Sequence, residues 1–175
     1  MKRLTFSFIC FIFVLAARAQ SNPVDELFEK YSGKDGFTTV YISSKMFGMF
    51  NSQETADKEL SNMMSRLKSI RILSVEDSTL NKSTNFYNEL NKKLDFSVYE
   101  EIMVVKEGND VTKFLIKQSG NLISELLVIT GGRGGNALIS IRGDLDLKSI
   151  SGLSKSMGLE QLGSLENIDK KQVKK

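Results

Sequence analysis

The sequence predicts an α+β fold, a two-layer sandwich with helices on one face of a largely antiparallel sheet. Three observations predict it. Four strand-like runs follow one another in the C-terminal half, separated only by short Gly, Asn, Asp and Ser links. Helical periodicity is confined to the N-terminal half and to the segment after the last strand. Such segregation of helices from a meander of strands marks the α+β class, in which each element buries one apolar face against the other layer.

In chain order, residues 24–31 read as a short amphipathic helix with Leu27 and Phe28 apolar, ended by Ser32-Gly33-Lys34-Asp35-Gly36. Residues 37–43 are β-branched and aromatic and predict a buried strand. Residues 45–50 form an apolar patch of one helical turn. In residues 55–68, Ala56, Leu60, Met63, Met64 and Leu67 fall at offsets 0, 4, 7, 8 and 11, one stripe of a helix. A strand follows over 69–75, carrying Ile70, Ile72 and Leu73, and then a helix over 83–94 with Phe86, Leu90 and Leu94 four apart.

The four-strand meander occupies 99–106, 111–117, 122–130 and 137–142. Its links are Glu107-Gly108-Asn109-Asp110, Gln118-Ser119-Gly120-Asn121 and the stretch 131–136. Such residues supply the positive φ that tight hairpins require. Residues 122–129 are apolar on both faces except at Ser124 and Glu125, which predicts an inner strand. A last helix is expected over 147–157, with Leu147, Ile150, Leu153 and Met157 apolar, and a shorter helical piece over 159–168.

Residues 1–19 have the grammar of a cleaved secretory leader. Lys2-Arg3 precede an apolar run over 4–16, and Ala17-Arg18-Ala19 supplies small residues at the junction. The run is shorter than the roughly twenty residues a membrane span needs. Cys10 lies inside it, after Phe8-Ile9 rather than at the junction, so it is not a lipoprotein cysteine. The expected organisation is a signal peptide over 1–19, one α+β domain over 20–162 and a polar, Lys-rich tail over 163–175. The expected location is the periplasm or the envelope, with no membrane span after cleavage.

The leader changes the chemistry of what remains. The chain has 24 Lys and Arg against 21 Asp and Glu, and the leader holds Lys2, Arg3 and Arg18 with no acid. Cleavage leaves 21 of each, so net charge gives no reason to expect nucleic acid as a partner. The only cysteine also leaves with the leader, so the mature chain relies on its core without disulfides. There is no histidine, which excludes a His-based triad, general base or metal ligand. No cofactor and no metal are expected.

The motifs that invite a sharper reading have plainer explanations. Gly131-Gly132-Arg133-Gly134-Gly135 leads into a strand, whereas a phosphate loop leads into a helix, so a hairpin turn is expected with Arg133 at its tip. Arg142-Gly143-Asp144 reads as a strand turning out, with Asp144 or Asp146 capping the next helix. Ser65-Arg66-Leu67-Lys68 has the Ser-x-x-Lys spacing of acyl enzymes but lacks their companion motifs. Glu100 and Glu101 are neighbours on a strand and point to opposite faces, so they form no dyad. No catalytic residue is assigned.

Taken together, several stretches resemble the domain of unknown function 4252 family. They are Tyr31-Ser32-Gly33-Lys34-Asp35-Gly36-Phe37-Thr38-Thr39-Val40-Tyr41-Ile42-Ser43 with Met46-Phe47 just after, Ile123-Ser124-Glu125-Leu126-Leu127-Val128-Ile129, and above all Leu138-Ile139-Ser140-Ile141-Arg142-Gly143-Asp144-Leu145-Asp146-Leu147. The resemblance spans roughly residues 25–162 and implies a small exported protein of a Gram-negative envelope, with no assigned activity.

The expectation is therefore a non-catalytic envelope protein that binds a macromolecular partner or an envelope component. Met46, Phe47, Met49, Phe50 and Arg133 are the candidate contacts, because Met-rich apolar patches adapt to varied partners. The first alternative is a regulatory component of envelope-stress signalling. A hydrolase using Ser or carboxylates is the remote one.

Overall fold

The computed structural model describes residues 22–51, 58–120 and 122–146, with the backbone alone at Phe50, Asn51, Glu59 and Leu60. The leader, the helices expected over 147–157 and 159–168, and the tail lie outside the described residues.

Helix α1, Pro23–Tyr31, starts where the Asn22 side chain accepts the Val24 N–H at 2.9 Å and proline takes the first position. Asp25 and Glu26 in its first turn and Lys30 in its last suit the helix dipole. Strand β1, Phe37–Ser43, has the expected bounds but lies at the sheet edge with no buried residue, where a buried strand is expected, and it runs directly into helix α2, Ser44–Asn51. The latter has two turns rather than the expected one. Helix α3 is Lys58–Arg66 and gives way to strand β2, Leu67–Val75, so Leu67 extends the strand rather than the helical stripe.

The helix expected over 83–94 is shorter, α5 (Phe86–Asn91), and is preceded by a helix not expected from the sequence, α4 (Ser78–Ser83). Their junction has a local cause. Thr84 closes α4 by donating its N–H to Leu80 O, and Asn85 opens α5 by accepting the Asn88 N–H. A side chain that captures backbone N–H groups favours a helix start over a helix interior. A turn of 3-10 helix at Phe96–Val98 leads into β3 (Glu100–Glu107), β4 (Asp110–Ser119), β5 (Leu122–Gly131) and β6 (Ala137–Leu145). Gly108, at φ +57°, makes the β3–β4 turn.

The strands form one antiparallel sheet in the order β1-β2-β6-β5-β4-β3. Strands β3 to β6 are the expected meander. Strand β6 also pairs with β2, with Ile70 opposite Ile141 and Ile72 opposite Ile139, and so joins the N-terminal strand pair to the meander.

The α+β class and the antiparallel sheet stand, but the helices lie on both faces rather than one. Leu73, Leu115, Leu127, Ile129 and Leu138 pack beneath α1 and α5, against Val24, Leu27, Phe28, Phe86 and Leu90. Ile70, Phe114, Leu126, Val128, Ile139 and Ile141 face the other way, where α2 contributes Phe47 and α3 Met63. Successive residues of an inner strand point to opposite faces, so strands that are apolar at both parities need two covers. Each large side chain buried this way contributes about 1.5–3 kcal/mol before entropy.

Candidate functional site

The apolar candidates separate once folded. Phe47 is buried in the core at 5% exposure, while Met46 and Met49 on the same helix are 46% and 69% exposed. The Phe50 side chain lies outside what the structure describes. Val40 and Tyr41 on the adjacent strand β1 are also exposed, at 37% and 57%. Four of the seven exposed large hydrophobics among the described residues therefore lie within ten positions of β1 and α2.

Arg133 sits elsewhere, on the β5–β6 loop. Asp110, at the start of β4, reaches under that loop, where its Oδ1 accepts the Arg133 N–H at 2.8 Å and its Oδ2 the Gly134 N–H at 2.9 Å. The loop could not wrap the carboxylate with side chains present. A Cβ on Gly132 would stand 1.9 Å from Asp110 Oδ1, and one on Gly134 2.2 Å from Oδ2. Consecutive amides of this kind make an anion nest, and here the protein's own carboxylate fills it.

Asn136 anchors the far end of the loop. It is 3% exposed, its Oδ1 accepts the Phe86 N–H at 3.0 Å, and its Nδ2 lies 3.0 Å from both Thr84 O and Gly132 O. The same amide is 3.1 Å from Asn81 Oδ1. One side chain thus fixes the loop to the α4–α5 junction.

Between loop and junction lies a polar basin of about 290 Å³, lined by Lys82, Ser83, Thr84, Asn88, Asn109 and Arg133 among others. No described residue pairs with the Lys82 ammonium or the Arg133 guanidinium, and no acidic side chain lines the basin. Arg133 is the one basin residue that the sequence marks out. Asp110 and Asn136 act through partners at least 23 residues away, apart from Gly132, and nothing local signals them.

A third cluster, beneath α1, is ionic and largely buried. Arg142 donates Nε to Glu125 Oε1 at 2.9 Å and Nη1 to Asp25 Oδ2 at 3.0 Å. Arg71 Nη1 also donates to Asp25, at 2.6 Å. Glu125, with a side chain only 5% exposed, further accepts Ser140 Oγ at 2.7 Å and Tyr99 OH at 2.8 Å. Burial and the neighbouring Glu125 charge push the Tyr99 phenol well above its ordinary range. Burial works against the Arg142 charge, but the bonds and charges of Asp25 and Glu125 outweigh it and raise its pKa. Both Glu125 oxygens are engaged, so the cluster braces α1 against the sheet.

The other motifs have structural partners too. Ser65 Oγ bonds Asn62 O, while Lys68 pairs with Asp144 at 2.7 Å, so the Ser-x-x-Lys pair is not assembled. Asp146 accepts Arg66 at 2.9 Å. The helix that Asp144 or Asp146 was expected to cap lies outside the described residues. Gly143 stands within β6, opposite Leu67, where a turn out of the strand was expected. Glu100 bonds Gln118 and Glu101 pairs with Lys113, on separate partners. Among the described residues there is no cluster of three or more metal-ligating side chains, and no helix is long and apolar enough to cross a membrane.

A family model described as Domain of unknown function (DUF4252) matches residues 31–153. The match begins at the last residue of α1 and takes in the whole sheet. No curated protein and no solved structure matches the chain.

Proposed function

The chain belongs to the family described as Domain of unknown function (DUF4252), and from that premise we propose an exported, non-catalytic envelope protein that binds an acidic saccharide component of the envelope in the Arg133 basin. The observation that carries this reading is the pair of unpartnered cations, Lys82 and Arg133, on a basin otherwise lined by amides and hydroxyls. Guanidinium and ammonium groups bind phosphate or carboxylate through charge-assisted hydrogen bonds. The side-chain amides of Asn88 and Asn109 offer the paired donors and acceptors that sugar hydroxyls need, and Ser83 Oγ, which donates to Leu80 O, can still accept. The loop beneath Arg133 is already fixed by Asp110 and Asn136, so binding pays little ordering entropy. The leader-like residues 1–19 support export.

Calorimetric titration with glucuronic acid, glucose 1-phosphate and glucose tests the reading. The two acids are expected to bind and glucose to bind at least tenfold more weakly, with Arg133→Gln abolishing the difference. Equal affinity for glucose, or an unchanged Arg133→Gln protein, would overturn it. The acid that binds more tightly distinguishes carboxylate from phosphate as the natural group. Sequencing the N-terminus of envelope-derived protein tests export separately. A chain still beginning at Met1 would count against it.

A further inference from the structure

The two edges of the sheet are built differently. Strand β3 carries Glu100, Glu101, Lys106 and Glu107, and its pairing with β4 shifts register between Glu101 and Met103. Charges and bulges of this kind keep an edge from pairing with another chain. Strand β1, Phe-Thr-Thr-Val-Tyr-Ile-Ser, has no charge and no proline, and its register with β2 is unbroken. It is a seven-residue edge without these guards.

We infer that β1 pairs with β1 of a second copy of this chain, antiparallel, about a two-fold axis at Val40. Backbone parity permits it. Glu76 donates its N–H to Gly36 O at 3.1 Å, so by antiparallel alternation the even-numbered residues of β1 address β2. Thr39 and Tyr41 then turn their N–H and C=O groups outward. Full overlap of the strand with its own copy puts Val40 opposite Val40 and Thr39 opposite Tyr41, twice, so that these outward groups bond one another. No like charges meet, because the strand has none.

The surroundings of the strand favour a second copy over an arbitrary strand, because the two-fold brings the exposed apolar residues of both copies to the same seam. Opposed residues in an antiparallel pair share a face, so both α2 helices lie on the side of the Val40 pair and bring Met46 and Met49 to the seam. Tyr41 packs over Thr39 of the other copy on the opposite face. One symmetric contact thus covers all four exposed apolar residues of this region.

Sedimentation and disulfide trapping test the pairing. In a Cys10→Ser background, Val40→Cys is expected to form a covalent dimer on mild oxidation. Opposed residues of a non-hydrogen-bonded antiparallel pair have Cα atoms about 4.5 Å apart, within disulfide reach. Val105→Cys, exposed on the other edge, is expected to remain monomeric. Val40→Lys and Val40→Glu should each weaken dimerisation at least tenfold, and mixing the two should restore it, which shows that neither has merely unfolded. A monomer at tens of micromolar, cross-linking as efficient at Val105→Cys, or no rescue on mixing would overturn the inference. None of these outcomes bears on binding at the Arg133 basin, which lies on another part of the fold.

Discussion

Arg142 Nη1 donates to Asp25 Oδ2 at 3.0 Å across 117 residues of chain, tying the last strand of the sheet to the first helix. Asp25 lies ahead of the residues that the family model matches, yet it holds two guanidinium groups. Arg71 and Arg142 both donate to it, and on the far side of Arg142 lies Glu125. Arg71 Nε and Arg142 Nη2 have no acceptor among the described residues, so the positive groups depend on these two carboxylates.

Removing Glu125 is therefore expected to do more damage than removing Asp25. Glu125→Ala strands Arg142 Nε, Ser140 Oγ and Tyr99 OH in a buried place and should cost about 3–5 kcal/mol, the usual loss when one member of a buried pair goes. Asp25→Ala acts at a third-exposed site, where water replaces part of the loss, and should cost less. Urea denaturation of both variants checks the order. Equal losses would contradict it.

Asn136→Ala should destabilise by about 2–4 kcal/mol, because the buried Phe86 N–H loses its acceptor and Gly132 O its donor. Hydrogen exchange gives the more specific readout. Protection should fall first at Phe86 and in the 131–135 loop, while β3 and β4 keep theirs.

Gly132→Ala tests the loop while leaving Asp110 itself unsubstituted. The new methyl would overlap Asp110 Oδ1, so Asp110 must withdraw and release the Arg133 and Gly134 amides. The expected result is a lower Tm, with little further loss when Asp110→Ala is added. Additive losses in the double variant would show that the two residues act separately.

Acid should weaken the contact between α1 and α5. Burial pushes the Glu89 carboxyl up, but hydrogen bonds from Lys30 and Tyr31 outweigh it and hold its pKa below the ordinary value. A carboxyl whose pKa is lower folded than unfolded stabilises the fold fully above the unfolded value, about 4.3. That stabilisation fades as the pH falls through the folded value. Comparing Tm for the wild type and Glu89→Gln should therefore show a gap at pH 6 that narrows steadily as the pH falls below the unfolded value.

How much of this is legible in the sequence depends on whether the deciding interaction is local. Strand β1 is legible to its ends, because Gly36 precedes a β-branched run and helix α2 follows it directly. The meander is legible from its Gly and Asn links. Helix α4 is not, because Leu80 is its single apolar residue and its start rests on the Asp77 cap. The second covered face is legible only in part. Apolar residues at both parities of β5 signal two covers, but not which helix goes where. Asp110 and Asn136 are illegible for a different reason. The sequence around each is ordinary, and their meaning comes from loops brought together by folding. Of the proposed contacts, Met46 and Met49 differ from Phe47 only by which side of one short helix they occupy.

The position of β6 has a consequence for the order of events as the chain forms. It is the last described strand to leave the ribosome, and it lies between β2 and β5 in the middle of the sheet. Until residue 145 is made, β1 and β2 have no link to the meander through the sheet, and Arg142 is not there to receive Asp25. The hairpins β3–β4 and β4–β5 and the pair β1–β2 need no residue of β6, so its arrival joins two separately paired pieces into one sheet. Closing that sheet is the non-local step, the slow kind in chains of high contact order.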